Sequence, residues 1–239
     1  MIEKKLTSKD FLANRVQFAK DIGQPELYDF IDHFGLFAGV YTIGNKLWTY
    51  ELLKQTVGIP GDIYEFGCWK GANLMFMAKV ISLLEPHSIK KLYGFDNFDG
   101  LPKSVELDGE FASTQAGNYR GNEELLRRTI ELFNLQEKVE LVVGDALDTI
   151  PTFSDKNAEA LISFAYLDFD LYEPTIKALN FIETCISVGG VIVFDEAGCK
   201  EWPGETIAMK EYLANTNHKY ETSSSVIGTN PTIALKRVL

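Results

Sequence analysis

The hydrophobic pattern changes character once along the chain, near residue 58. From residue 8 to about 57 the segment is predicted to be helical, rich in aromatic residues and punctuated by Gly23-Gln-Pro25 and by glycines from Gly35 to Gly44. Thr7 followed by Asp10 makes a weak capping box at its start. From Asp62 onward, short apolar runs alternate with helical stretches, the signature of a βαβ architecture. The strands are predicted at Asp62 to Gly67, Lys91 to Asp96, Val139 to Asp145, Ser163 to Asp168 and Val191 to Asp195. The helix after Gly71 places Leu74, Met77, Ala78 and Ile81 on one face, and a later one turns Leu126, Ile130 and Phe133 inward.

Between Asp96 and about Gly121 the pattern predicts a long polar loop. Pro174 opens a helix between the fourth and fifth strands, where its missing N–H costs nothing, and another helix is expected around 205–214. Tyr220 to Ile227, the turn Gly228-Thr-Asn-Pro231 and Thr232 to Val238 read as a closing hairpin. The predicted fold is α/β: a doubly wound, seven-stranded, mostly parallel sheet in residues 58–239, with a helical lid in residues 1–57. No repeat, linker or low-complexity tract interrupts it.

Composition narrows the function classes. With 46% apolar and 24% charged residues the chain has the balance of a soluble globular protein. A net charge of −11 with no basic stripe argues against nucleic acid as a partner and favours a cationic ligand or metal. Cys68, Cys185 and Cys199 are too few and too scattered for a disulfide framework or a zinc knuckle, and read as reduced thiols of a cytoplasmic protein. The polar start Met1-Ile-Glu-Lys-Lys-Leu-Thr lacks the apolar core of a signal peptide, and no stretch approaches the ~20 apolar residues of a membrane span.

The chemistry gathers at strand ends. Ala165-Tyr-Leu-Asp-Phe-Asp-Leu-Tyr172 and Gly189-Gly-Val-Ile-Val-Phe-Asp-Glu196 are apolar runs that each break into carboxylates, as neighbouring parallel strands do at a shared carboxyl edge. Asp168, Asp195 and Glu196 therefore form a candidate divalent-metal set, with hard oxygen donors suited to Mg²⁺, Mn²⁺ or Ca²⁺. A salt-bridged loop cluster is the plain alternative. Asp170 is the weaker member, placed in the turn beyond and expected to cap the helix that begins near Glu173.

Glu65-Phe-Gly-Cys-Trp-Lys-Gly71 sits at a strand-to-helix turn, with Gly67 free to let the backbone approach a ligand and Gly71 opening the helix. Its spacing is not the G-x-G-x-x-G of dinucleotide folds. Asp96 ends the second strand, where an acid commonly accepts ribose hydroxyls, and Asp145 ends the third, where it could face an adenine amine. Either alone could be a cap; together they point to an adenosine-containing ligand. His87 and His218 are expected at the surface, and His33 either packs or reaches the site as a base. Trp202-Pro203 either walls a pocket or simply packs.

From Tyr41 to about Tyr212 the chain resembles the macrocin/mycinamicin O-methyltransferases. The resemblance is carried by Gly61 to Gly71, Gly94-Phe-Asp-Asn-Phe-Asp-Gly-Leu-Pro102, Gly144-Asp145 with Thr149-Ile-Pro151, Leu167 to Thr175 and Gly189 to Glu196. It implies a class I, Rossmann-like enzyme that uses S-adenosylmethionine and a divalent metal, usually Mg²⁺, to methylate a sugar hydroxyl of a small-molecule acceptor. It also implies a homo-oligomer. By the same resemblance Glu65, Gly67, Cys68 and Gly71 hold the methionine end, Asp96 and Asn97 the ribose, and Asp145 with Ala146 the adenine. Asp168 and Asp195 match metal-ligand positions, Glu196 replaces the usual second aspartate, and Lys70 replaces the usual arginine.

Asp168 is the expected base that takes the acceptor's proton. A methyltransferase of catechol-like diols would use almost the same residues. A nicotinamide-dependent oxidoreductase shares the adenosine logic, and a non-catalytic binding protein would keep the cofactor without turnover.

Overall fold

The structure is a computed structural model that describes residues 9–226 and 228–239. Thr7 of the expected capping box and Ile227 at the end of an expected strand lie outside these residues. Helices α1 (Lys9–Asp21), α2 (Leu27–Asp32), α3 (Phe34–Phe37) and α4 (Val40–Lys54) open the described chain. Gly23 adopts φ +73 at the predicted break after α1. The later break falls at Ala38 and Gly39, while Gly35 and Gly44 lie inside helices instead of interrupting them.

Strands and helices then alternate as predicted: β1 (Asp62–Phe66), α5 (Ala72–Leu84), β2 (Leu92–Asp96), then a segment holding a 3₁₀ turn (Glu106–Asp108) and α6 (Gly109–Ser113). Next come α7 (Glu123–Leu132), β3 (Val139–Val143), α8 (Ala146–Lys156), β4 (Ile162–Leu167), α9 (Tyr172–Cys185) and β5 (Ile186–Phe194). Helix α10 (Pro203–Asn215) and strands β6 (Tyr220–Ser224) and β7 (Ile233–Arg237) close the chain.

The seven strands form one sheet in the order β3-β2-β1-β4-β5-β7-β6. The first five in that order run parallel, and β7 is antiparallel to both β5 and β6. Strand order reverses between β1 and β4, the switch point at which the flanking loops part and leave a crevice. Period-two alternation divides the core. Tyr64, Phe66, Phe95, Leu167 and Phe194 pack toward α8, α9 and α10, while Ile63, Phe164, Tyr166 and Val193 join the cluster of α4, α5 and α7. The four predicted apolar positions of α5 are all fully buried, and Leu126 and Ile130 turn inward as expected. Phe133, the C-cap of α7, packs against the same cluster but is only partly buried.

Two features of the chain's course differ from expectation. Strand β5 begins directly after α9, because Ile186 pairs with Ile162 before a register shift brings Val191 opposite Phe164. The polar loop after β2 contains a 3₁₀ turn and one short helix at its centre, held by one buried carboxylate. Asp108 is 1% exposed, and accepts from Val105 N at 2.8 Å and from Tyr172 N at 2.6 Å. That second bond caps α9, the role expected of Asp170. The N-cap Leu171 has no side-chain donor or acceptor for it, so an acid from across the fold satisfies the helix start.

Asp108→Ala should strand the Tyr172 and Val105 N–H groups and cost about 2–4 kcal/mol, read as a lowered denaturation midpoint. Gly67 has φ +95, and a Cβ there would lie 2.0 Å from the Asp168 carbonyl oxygen. Gly67→Ala should therefore cost about 3 kcal/mol or more in the same measurement.

Candidate active site

The sheet's carboxyl edge opens into a cavity of about 320 Å³ at the switch point. It is lined by Gly67, Trp69, Asp96, Asn97, Asp145 and Ala146 on one side, and by Asp168, Asp170, Asp195, Glu196 and Trp202 on the other. Every carboxylate singled out in the sequence at the ends of β2 to β5 thus faces one space. Glu65, Cys68 and Gly71 are buried and do not line it.

The turn after β1 is rigid. Asp96 Oδ2 accepts from Cys68 N and Trp69 N, both at 2.7 Å, and Oδ1 accepts from Phe98 N at 2.6 Å. Asp96 therefore acts as the turn's cap, and a carboxylate with about four acceptor sites keeps one for a ligand. Gly67 packs closely on the backbone at the end of β4 while also lining the cavity, and Gly71 is the N-cap of α5 at φ +76, facing Leu126. Asn97 closes its own turn, accepting from Asp99 N and donating to Gly100 O. Asp145 caps α8 through Leu147 N at 2.8 Å.

Beneath this wall lies a polar pair. Glu65 points from β1 to the α5 side, where its Oε2 and the Asn73 Nδ2 are both buried without a hydrogen-bond partner. Lys46 of α4 donates to Asn73 Oδ1 at 3.0 Å. Burial pushes the Glu65 carboxyl up to about 8 and pushes the Lys46 ammonium down, each partly offset by the other's charge. Glu65 Oε2 has the chemistry to meet an ammonium group, as the methionine end of an S-adenosyl ligand carries, although the carboxyl lies behind the cavity wall beside Asn73.

The acid side is a concentrated like-charge cluster. Register pairs Leu167 with Phe194, so Asp168 and Asp195 leave adjacent strands side by side. Burial, then the charges of Asp195 and Asp170, raise Asp168 well above the carboxylate range, and its side chain accepts no hydrogen bond among the described residues. Burial raises Asp195 to about 6, even though its oxygens accept from Tyr166 Oη and, at 2.7 Å, from Asn230 Nδ2. Asp170, at φ +63, is pushed up to about 8 by burial and by Glu196 and Asp195. It belongs to the cluster, not to the helix cap.

Glu196 Oε1 accepts from the same Asn230 Nδ2 at 2.6 Å. Glu205, fully buried in the first turn of α10, accepts from Glu196 N at 2.9 Å and is raised well above its usual range by burial and its acidic neighbours. No three His, Cys, Asp or Glu side chains among the described residues stand close enough to enclose an ion as they are placed. The donor chemistry nonetheless fits a hard divalent cation: buried, mutually repelling carboxylate oxygens, several of them without a donor among the described residues.

An aromatic wall completes the cavity. Trp202 lines it and also packs on Ala112 and Leu171, with Phe111 edge-on at 5.3 Å and Tyr119 at 6.4 Å. Both sequence alternatives for Trp202 therefore hold. Lys70 lies over the Trp69 ring at 4.5 Å. His33 is exposed at the end of α2, bonded to Asp29 O, and is neither packed nor in the cavity. His87 is exposed as expected, whereas His218 is partly buried against Glu183 O at 3.0 Å.

Sequence reasoning missed Lys46, Asp108, Tyr166, Glu205 and Asn230. Only Tyr166, one alternation before Asp168, carried a usable signal, since period two places both on the same side of β4.

Comparison with known proteins identifies the family and the fold. The family described as macrocin O-methyltransferase (TylF) matches residues 50–223. The chain is 30% identical over 179 residues to demethyldecarbamoylnovobiocin O-methyltransferase of Streptomyces niveus, covering 69% of this chain and 63% of that protein. It is 27% identical to the 8-demethyl-8-(2,3-dimethoxy-alpha-L-rhamnosyl)-tetracenomycin-C 4'-O-methyltransferase of Streptomyces olivaceus, covering 58% of this chain and 54% of that one. The chain thus spans less than two thirds of these curated relatives. The crystal structure of the calicheamicin methyltransferase CalS11 superposes with a TM-score of 0.76 at 26% identity, over 96% of this chain and 93% of that one. With the match to residues 50–223 covering most of its length, the chain belongs to the macrocin O-methyltransferase family.

Proposed function

We propose that this protein transfers a methyl group from S-adenosylmethionine to a sugar hydroxyl, with a divalent cation, Mg²⁺, at the carboxylate cluster. One observation carries the reading: a single cavity unites the tight turn after β1, the acids ending β2 and β3, and the repelling acids ending β4 and β5. Family membership supports methyl transfer. The acceptor class is supported by relatives named for rhamnose-bearing substrates, the tetracenomycin enzyme and CalS11, the latter also titled a TDP-rhamnose 3'-O-methyltransferase.

Glu65, with Gly67, Cys68 and Gly71 shaping the turn, holds the methionine end. The remaining acceptor site of Asp96, with Asn97, takes the ribose, and Asp145 with Ala146 borders the adenine. The bound donor supplies an electrophilic methyl group, so the chain's main task is alignment. Asp168, Asp195 and Glu196 would hold the cation, which would acidify a hydroxyl bound to it. Asp168, unbonded and raised in basicity by its neighbours, accepts the hydroxyl proton. Trp69, Tyr119 and Trp202 exclude water from the cavity mouth.

Residues 1–57 act as the acceptor-side lid of the domain formed by residues 58–239. Tyr41 lies within electrostatic reach of Asp195 and Glu196, and Asn45 bonds Asn230 O at 2.9 Å. No helix of the described residues is long and apolar enough to cross a membrane, and the cysteines are unpaired, which suits a cytoplasmic enzyme.

Isothermal titration with S-adenosylmethionine and with NAD⁺, each with and without Mg²⁺, separates the two cofactor readings. Binding of the methyl donor alone is expected; binding of NAD⁺ alone, or of neither, sinks the assignment. Asp168→Asn should lower turnover by about 10²–10⁴-fold while leaving donor affinity unchanged. Normal turnover in that variant removes Asp168 as the base.

A further inference from the structure

The turn between β6 and β7 sends one side chain into the acid cluster. Asn230 Nδ2 donates to Asp195 Oδ2 at 2.7 Å and to Glu196 Oε1 at 2.6 Å, so a single amide nitrogen bridges two carboxylates that repel each other. The amide's oxygen accepts no hydrogen bond among the described residues. The backbone around it is tied from both sides. Asn45 of α4 donates to Asn230 O at 2.9 Å, and Thr232 N donates to Phe194 O at 2.9 Å and to Asp195 O at 3.1 Å.

A fixed backbone with one rotatable amide is a two-position device. With its NH₂ inward the group supplies partial positive charge between carboxylates. Turned over about its last side-chain bond, it presents a hard carbonyl oxygen at the same place. A second feature suits the cluster to a compensating positive charge. Glu205, fully buried behind Glu196, keeps one carboxylate oxygen with no partner. Burying this many acids in an acidic chain is costly without a compensating cation.

We propose that Asn230 belongs to the cation site: its amide nitrogen holds Asp195 and Glu196 together before an ion binds, and its amide oxygen becomes a ligand when a divalent cation enters. The proposal rests on the cation reading above and adds to it a ligand lying 34 residues beyond Glu196, on another element. It explains how a site with a glutamate can close. The longer Glu196 reaches sideways to Asn230, and the two move toward an ion as a pair. It also joins the cation to helix α4, since Asn45 grips the backbone of the same residue.

Mn²⁺ serves as the probe, followed by the electron paramagnetic resonance signal of the free ion, with thermal melting of the full chain as a parallel readout. Asn230→Ala should weaken Mn²⁺ binding on the order of 10–100-fold. Asn230→Asp should retain or tighten Mn²⁺ binding, because it keeps a hard oxygen, yet melt lower than the parent without metal, because it replaces a donor with a further negative charge. A residue of merely structural importance would lower melting in both variants and could not separate them in affinity. Parent-like Mn²⁺ affinity in Asn230→Ala overturns the assignment. Should the parent protein bind the methyl donor but no Mn²⁺, the cation reading itself falls and this inference falls with it.

Discussion

Repulsion between carboxylates at the end of a parallel sheet organises this molecule. Parallel strands finish at one edge, so the acids that follow β4 and β5 are delivered side by side by the register that pairs Leu167 with Phe194. Burial then makes their charge expensive, which raises Asp168, Asp170, Asp195 and Glu205 together. Much of the surrounding structure offsets that cost. Tyr166 and Asn230 donate to Asp195, the Glu196 N–H donates to Glu205, and Lys46 brings a positive charge from α4. A cluster stabilised only partly by its own protein is suited to a cation and a basic proton acceptor.

The opposite wall works by rigidity. Asp96 spends three of its acceptor sites on backbone N–H groups, and Gly67 lets the β1 turn touch the β4 backbone. These contacts leave the turn no freedom to collapse into the cavity. Reading Asp96 as a cap and reading it as a ribose partner are therefore compatible. The cap is what aims the remaining lone pair. The same economy appears at Asp108, which orders the segment after β2 and starts α9 with one carboxylate.

Legible in the sequence were the sheet, its two layers of helices and the acids at its edge. Those features follow from local rules: period-two and helical periodicity, glycine turns, and strands that end where polar residues begin. Asp168, Asp195, Glu196, Asp96 and Asp145 could be found because strand ends in a parallel sheet share an edge whatever the details of packing. The family resemblance rested on the same local motifs.

Tertiary structure alone decided which groups complete the site. Asn230, Lys46 and Asp108 come from a hairpin turn, an N-terminal helix and a loop, and each meets a partner far from it in sequence: Asp195, Asn73 and the Tyr172 N–H. Asp170 looked like a helix cap because it precedes α9, yet its left-handed backbone turns it to the cluster while Asp108 caps the helix from afar. Local pattern determines where a residue sits along its element. Which polar groups then meet is set by how separate elements pack, because a buried donor takes whatever acceptor the fold brings within about 3 Å.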